Sequence, residues 1–148
     1  MNLEAQIQKD LITAMKAKDE KALRAVRAIK AAILNFKTSG TNAPLDEDAE
    51  IKMLQKMVKQ RKESLSIFEQ QNRDALAQTE REEIEVIEKY LPQQLSVEEI
   101  EATIKTIIVD SGAIGMKDMG KVMGAANKAF AGKAEGAVIS GIVKRLLA

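Results

Sequence analysis

The chain has 148 residues, a formal net charge of +1, and neither cysteine nor histidine. Without cysteine, the chain can have no disulfide bond, thiolate nucleophile or cysteine-bound metal centre, and without histidine it can have no Ser-His-Asp or Cys-His catalytic group. Apolar residues make up 45% of the chain, charged residues 30% and aromatic residues 3%. This balance favours a folded protein whose core is packed between helices.

The N-terminal sequence, MNLEAQIQKDL, carries acidic residues and lacks the apolar core of a signal peptide. No stretch of the sequence approaches the roughly 18 apolar residues that a membrane-spanning helix requires. We therefore expect a cytoplasmic protein with no membrane association.

The first 70 residues show apolar residues at three- and four-residue spacing, which is the pattern of amphipathic helices. No segment shows a convincing two-residue alternation, so we predict an all-α fold. The three predicted core stripes are Leu3, Ile7, Leu11 and Met15; Leu23, Val26, Ile29 and Ile33; and Ile51, Leu54, Val58, Leu65 and Phe68.

Two breaks interrupt this pattern. The segment SGTNAPLDED, which starts at Ser39, contains Gly40 and Pro44, and both residues favour a turn. Asp46 then offers a carboxylate to the free amides at the start of a long helix. The second break is predicted at residues 72–74.

A domain boundary is predicted near Pro92. Thr79 and Glu82 have the spacing of a capping box at the start of a helix, and the proline ends that helix because it disfavours helical backbone in the preceding residue. We therefore predict an N-terminal helical domain with long helices over residues 1–92 and a C-terminal domain over residues 93–148.

The C-terminal domain has a different composition, since seven of the eight glycines lie in the last 37 residues. Ser96 and Glu99 form a second candidate capping box, and Gly112 and Gly132 are candidate helix stops. These signals predict a three-helix domain with helices at about 97–110, 117–130 and 136–147.

The stretch GMKDMGKV, residues 115–122, has two glycines and a lysine spaced like those of a nucleotide-binding P-loop. A P-loop also needs a preceding strand and a serine or threonine hydroxyl that holds magnesium. Here Val122 takes the place of the hydroxyl, and the preceding segment has the pattern of a capped helix. We therefore expect no ATP site and no cofactor.

Gly120 and Gly124 lie four residues apart in a predicted helix, where each glycine costs about 0.5 to 1 kcal/mol relative to alanine. Glycine allows either a neighbouring helix or a bound phosphate to approach the backbone closely. We take helix packing as the default interpretation, because methionine fills irregular core gaps. The candidate core residues on this segment are Met116, Met119, Met123 and Phe130.

Residues 112–148 carry six basic and two acidic side chains, a net charge of +4. Clustered basic residues are typical of nucleic-acid binding, although a solvated face with intramolecular ion pairs explains them equally well. The scarcity of aromatic residues disfavours base stacking and favours contact with the backbone of a structured RNA. The candidate RNA-binding residues are Lys117, Lys121, Lys128, Lys133, Lys144 and Arg145, and the candidate positions for close backbone approach are Gly120, Gly124 and Gly132.

The N-terminal half carries charges of both signs. Its acidic run could supply carboxylates for acid–base chemistry or for a metal. A surface helix face rarely provides the cleft and the perturbed pKa that catalysis needs, so we predict no catalytic residue and no metal site. The basic residues are Lys21, Arg24, Lys30, Lys52, Lys56, Lys59, Arg61 and Lys62, and the acidic ones are Glu80, Glu82, Glu83, Glu85 and Glu88.

Four stretches together resemble the YqeY-like proteins, also called the GatB/YqeY domain family, over essentially the whole chain. This resemblance implies a helical N-terminal domain and a C-terminal domain similar to the GatB tail of the aspartyl/glutamyl-tRNA amidotransferase, which contacts tRNA. The pattern shared with that tail is Gly120–Val122–Met123, Gly132–Lys133–Ala134 and a closing basic helix, with a longer spacing here between the first two parts. The four stretches are AKDEKALRAVRAIKAAILN at 17–35, VKQRKESLSIFEQ at 58–70, EKYLPQQLS at 88–96 and MKDMGKVMG at 116–124.

The leading hypothesis is a noncatalytic, tRNA-directed binding protein. The resemblance also links the chain to carbon–nitrogen ligases with glutamine as amido-N-donor, either as an accessory or as a member that acts on charged tRNA. A third hypothesis is a protein-interaction adaptor whose helix from Asp46 to Gln71 and acidic neighbour bind a partner helix. The expected partners are tRNA and an amidotransferase or other translation-related protein.

Overall fold

A computed structural model describes residues 2–40 and 43–148 of the chain. The described residues form α-helices and one short 3-10 helix without any strand, which confirms the predicted all-α class. Thr41 and Asn42, inside the predicted SGTNAPLDED interruption, lie outside the described residues. The helices are α1 (Leu3–Ala17), α2 (Glu20–Lys37), α3 (Glu47–Gln70), α4 (Asp74–Glu88), α5 (Val97–Ser111), the 3-10 turn (Met116–Asp118), α6 (Met119–Ala129) and α7 (Gly136–Leu147).

The chain divides into two compact units, Met1–Leu91 and Pro92–Ala148. The first unit contains α1 to α4 and the second contains α5 to α7. Each unit buries an apolar core of its own, formed mostly by isoleucine, leucine and valine.

The first unit begins with a helical hairpin. Lys18 adopts a left-handed conformation, with φ of 54°, and the Asp19 carboxylate caps α2 by accepting from the Ala22 amide at 3.1 Å. Because only these two residues separate the helices, α1 and α2 run antiparallel. Helix α4 packs against both α2 and α3. The most buried residues of this core are Ile7, Val26, Ile29, Leu54, Val58 and Ile87.

The apolar spacing predicted most of this core correctly, with one exception in α1. Met15 is 55% exposed, whereas Ala14 is buried in its place. The capping residue of α3 agrees with the sequence analysis, since the Asp46 carboxylate accepts from the Ala49 amide at 2.9 Å. The second break also occurs as predicted, with Asn72 in a left-handed conformation between α3 and α4.

The predicted capping box at Thr79 and Glu82 is wrong. Helix α4 already starts at Asp74, so Thr79 lies inside it and donates its hydroxyl to the Ala75 carbonyl one turn earlier, at 3.2 Å. Glu82 instead forms ion pairs with side chains of α2. The sequence pattern of a capping box therefore occurs here without the helix start that gives it meaning.

The second unit begins with a capping box that the sequence predicted correctly. Ser96 Oγ accepts from the Glu99 amide at 3.1 Å, and Glu99 Oε2 accepts from the Ser96 amide at 3.2 Å. Gly112 ends α5 with φ of 71°, in the left-handed region that glycine tolerates best. The core of this unit consists of Ile100, Ile104, Val122, Ala126, Phe130, Ile139, Ile142, Val143 and Leu147.

Candidate nucleic-acid interface

Helix α6 presents one buried face and one exposed face. The exposed face carries Gly120, Lys121, Gly124 and Lys128, and Lys117 lies exposed in the 3-10 turn that leads into the helix. The positions of these five residues follow three- and four-residue steps, so they share one side of the helical segment. The opposite face is held in the core by Val122, Ala126 and Phe130.

The two α6 glycines are not packing positions. An added Cβ at Gly120 or Gly124 would meet nothing within 4 Å, and both residues are exposed. The default interpretation of close helix packing is therefore wrong at these positions, because no other helix in the described part of the chain approaches them. The result is a short stretch of open helix backbone with lysines on both sides.

Gly132 has a different role from the two α6 glycines. It is buried, and it has a φ of 74° in the turn between α6 and α7. Its carbonyl accepts from Gln94 Nε2 at 2.8 Å, and the carbonyl of Lys133 accepts from the Leu95 amide at 3.0 Å. The turn conformation accounts for this glycine, so we leave Gly132 out of the exposed α6 surface.

Lys121 has a structural contact that the sequence did not reveal. Its Nζ donates to the Ser111 carbonyl at 2.9 Å, at the C-terminal end of α5. The last carbonyls of a helix lack partners within the helix, and a cation there also interacts favourably with the helix dipole. Lys121 therefore stabilises the end of α5, whereas the structure gives Lys117 and Lys128 no ion pair within the described residues.

The remaining three candidate residues lie outside α6. Lys133 is exposed in the turn before α7, and Lys144 and Arg145 are exposed in the last turn of α7. Arg145 Nη2 lies 3.2 Å from Glu101 Oε2, and the hydrogen bond from Arg145 lowers the pKa of that carboxyl. The structure therefore groups Lys117, Lys121 and Lys128 together, whereas Arg145 pairs with α5.

An exposed apolar loop adjoins the lysines, and the sequence analysis did not identify it. Ile114, in the loop between α5 and the 3-10 turn, is 80% exposed, and Val109, in the last turn of α5, is 78% exposed. The Ile114 amide donates to Asp118 Oδ2 at 3.0 Å, which fixes the loop against the start of the basic segment. In the sequence, this site is an apolar run followed by Gly112, Ala113 and Gly115. Helical spacing alone does not show that Val109 and Ile114 are exposed.

The segment that resembles a P-loop is helical for most of its length. Residues 116–118 form the 3-10 turn and residues 119–122 begin α6, preceded by α5 rather than by a strand. Gly115 has an extended backbone with φ of −179°, which any residue can adopt. The geometry thus differs from the strand–loop–helix arrangement that holds a nucleotide phosphate.

Several charges of the first unit pair with one another across its helices. Glu82 lies 2.8 Å from Arg24 and 3.5 Å from Lys21, and Glu83 lies 2.9 Å from Arg61. Burial alone would raise the pKa of Glu82, but its bonds to Arg24 and Lys21 lower it overall. Glu82 and Glu83 of the acidic run therefore pair with basic residues of α2 and α3. The same acidic run is the one that the adaptor hypothesis assigns to partner binding.

Glu80 is the exception within the acidic run. Its Oε2 atom is buried without a hydrogen-bond partner in the described part of the chain, and the residue is half-buried. Burial raises the pKa of this carboxyl, Glu83 raises it further and Arg61 opposes the shift. Among residues 2–40 and 43–148, no three carboxylates are grouped so that they could hold a metal ion.

A cleft of about 630 Å³ lies between α1, the start of α2 and the end of α4. Tyr90 donates its hydroxyl to Asp10 Oδ2 in this cleft. Burial and the Asp10 carboxylate raise the pKa of Tyr90 well above its ordinary value, so the phenol stays protonated at neutral pH. This bond ties α1 to the segment after α4.

Comparison with known proteins gives a family match over nearly the whole chain. The model of the family described as Yqey-like protein matches residues 4–147. This match includes the 3-10 turn and all of α6.

Curated relatives are fungal proteins that share the name "Altered inheritance of mitochondria protein 41, mitochondrial". The protein of Lachancea thermotolerans is 34% identical over 72% of this chain and 58% of its own length. The protein of Meyerozyma guilliermondii is 42% identical over 57% of this chain and 44% of its own length, and that of Vanderwaltozyma polyspora is 30% identical over 76% and 64%. The chain therefore spans less than two thirds of each of these three relatives.

The expectation of a cytoplasmic protein is wrong by this comparison, because these relatives are named as mitochondrial. The expectation depended on the lack of an apolar signal segment, whereas mitochondrial transit peptides are amphipathic and rich in arginine. No described helix is both long enough and apolar enough to cross a membrane.

Proposed function

This chain belongs to the YqeY-like protein family, and from that premise we propose that its second unit binds structured RNA, tRNA in particular, without catalysing a reaction itself. The bound part of the RNA is its sugar-phosphate backbone. The binding surface is the exposed face of α6 with the preceding 3-10 turn, which we call the α6 face: Lys117, Gly120, Lys121, Gly124 and Lys128.

The observation that carries this proposal is the pair of exposed glycines between lysines. Each glycine lowers helix stability, and no packing against residues 2–40 or 43–148 compensates for that loss at Gly120 or Gly124. A bound backbone provides a reason, because a helix surface without side chains lets phosphates approach closely. Lys117 and Lys128, which have no ion pair among the described residues, supply the charge that phosphates require.

The choice of RNA depends on two further features. The described aromatic side chains of the second unit are limited to Phe130, which is buried in its core, so stacking on splayed bases has no platform there. Contact with the backbone of a folded RNA is the mode that remains. The resemblance to the tail of the tRNA-dependent amidotransferase supports tRNA as that RNA, and an amidotransferase or another translation-related protein as a further partner.

The test is a titration of labelled total tRNA with the purified chain, beside an unstructured RNA of matched length. We expect saturable binding that prefers tRNA and weakens with added salt. The double variant Lys117→Glu, Lys128→Glu should reduce the affinity by at least about tenfold, because each reversal replaces an attraction to phosphate by a repulsion.

The matched control is Lys52→Glu, Lys59→Glu, which makes the same change of charge on exposed positions of α3. Circular dichroism establishes that both double variants remain folded. If both double variants lose tRNA affinity equally, the loss results from the change in net charge and not from the α6 face. If the α6 variant binds tRNA as the unmodified chain does, the α6 face is not the binding surface.

A further inference from the structure

A second surface, in the first unit, has the features of a binding groove and is separate from the residues of the proposed RNA interface. A cavity of about 340 Å³ lies between α1 and α2. This volume falls within the range of about 300 to 1,000 Å³ that is usual for ligand-binding pockets. Its lining includes Ile7 and Gln8 of α1 and Arg27, Lys30, Ile33 and Leu34 of α2.

The floor of this groove is apolar and partly open to solvent. Ile7 and Ile33 are buried at its base, whereas Leu34 is 61% exposed. On α1, Ile12 and Met15 are also exposed, at 46% and 55%. They follow Gln8 at spacings of four and seven residues, so they extend the same side of α1 beyond the cavity.

The rim of the groove is basic. Arg27 and Lys30 are exposed on α2, and neither forms an ion pair within the described residues. Lys37 pairs with Glu4 at one end, so the uncompensated charge along the rest of the rim is positive.

We propose that the α1–α2 groove binds an amphipathic helix of a partner protein, with apolar residues toward the groove and carboxylates along its flanks. Two antiparallel helices form a concave seam that a third helix fills, with anchors spaced three or four residues apart. Carboxylates beside those anchors complement Arg27 and Lys30. An extended lipid surface does not match a concave seam, and an RNA backbone does not match an apolar floor.

The test uses the full chain with a fluorophore at one introduced cysteine, Gln8→Cys, at the groove. The chain has no other cysteine, so the label is unique. The probe is a synthetic helical peptide of the same length as α1, with leucines at three- and four-residue spacing and flanking glutamates. One control peptide has lysines in place of the glutamates, and another has glutamines in place of the leucines.

Of the three peptides, we expect only the acidic amphipathic one to bind saturably. In the labelled chain, Leu34→Glu should abolish it and Arg27→Glu, Lys30→Glu should weaken it at least about tenfold. The matched changes on α3 are Ile67→Glu for the first variant and the double change Lys52→Glu, Lys59→Glu for the second. They should leave the affinity unchanged, since these residues are exposed and do not line the groove. A chain labelled at Ser66→Cys should show no change in fluorescence.

Four results would overturn the proposal. They are no saturable binding of the acidic peptide, equal binding of the basic peptide, unchanged binding by both groove variants, and tighter binding to anionic phosphatidylglycerol vesicles than to the peptide. A concentration-dependent dimer that Leu34→Glu abolishes would instead assign the groove to a second copy of the chain. Loss of tRNA binding in the Arg27→Glu, Lys30→Glu variant would assign the rim to RNA.

Discussion

At the scale of single residues, replacing the exposed glycines of α6 should change stability and tRNA binding in opposite directions. Gly120→Ala and Gly124→Ala should each raise the free energy of unfolding by about 0.5 to 1 kcal/mol, because the added methyl group meets nothing within 4 Å and alanine is the better helix former. Urea denaturation measures this gain. Under the proposed function, the same two substitutions should weaken tRNA binding.

Gly141 provides the control for these two substitutions. It lies exposed in α7, and an added Cβ there also meets nothing within 4 Å. Gly141→Ala should therefore give a similar gain in stability without a change in tRNA affinity. If the α6 variants gain stability and bind tRNA as the unmodified chain does, phosphate contact is not the reason for their glycines.

Glu80 and Glu82 predict opposite pH effects. Burial raises the pKa of Glu80 above its ordinary value of 4.5, so the folded state loses stability as the pH rises from 4.5 through the raised value. Glu80→Gln should therefore be more stable than the unmodified chain at neutral pH, and this advantage should disappear in acid. Urea denaturation at neutral pH and near pH 4 measures the difference.

Glu82 has a folded-state pKa below 4.5, so its contribution to stability is present above that value and is lost as the pH falls through the lowered one. Glu82→Gln should accordingly be less stable than the unmodified chain at neutral pH, with the difference vanishing in acid. If both substitutions change the free energy of unfolding in the same direction at neutral pH, the opposite pKa shifts of Glu80 and Glu82 are contradicted.

At the scale of helices, two similar sequence signals had different outcomes. Ser96 with Glu99 and Thr79 with Glu82 share the spacing of a capping box, yet only the first pair starts a helix. The local pattern specifies which bonds are available, whereas the position of the helix start also depends on packing against other helices. Sequence thus predicted α5 and α7 well, and it placed the start of α4 too late.

This difference gives a prediction for two substitutions. Ser96→Ala should lower the free energy of unfolding by about 1 kcal/mol, because it leaves helix amides without their acceptor. Thr79→Ala should have little effect, since the Ala75 carbonyl it releases is already bonded within the helix. Thermal denaturation of both variants measures the contrast, and equal losses would show that the two positions are equivalent.

The sequence could not predict whether Gly120 and Gly124 of α6 are packed or exposed. Spacing alone allows Gly120 and Gly124 to face either a neighbouring helix or solvent. The choice depends on where α5 and α7 pack against α6, and the apolar residues of α6 place that contact on the opposite side of the helix. The two glycines that spacing suggested as packing positions are therefore exposed.

At the scale of the whole molecule, the structure shows which charges are paired with each other, and the sequence does not. The ion pairs that α2 forms join residues far apart in sequence, as in the pair of Arg24 and Glu82, which are 58 residues apart. Composition shows both signs but not their pairing, so the basic clusters of the N-terminal half and the second unit looked equivalent in sequence. In the structure, the α6 face differs from the basic residues of the N-terminal half because the exposed backbone of Gly120 and Gly124 lies between its lysines.

The salt dependence of tRNA binding tests this view of the whole molecule. Each neutralised phosphate contributes a slope of about 0.7 to 0.9 in a plot of log affinity against log salt concentration. Replacing Lys117 and Lys128 by glutamine removes two contacts and should reduce the slope by about 1.4 to 1.8. The corresponding change at Lys52 and Lys59 should leave the slope unchanged. If both double variants reduce it equally, the RNA is attracted to the general charge of the chain, and the α6 face has no special role.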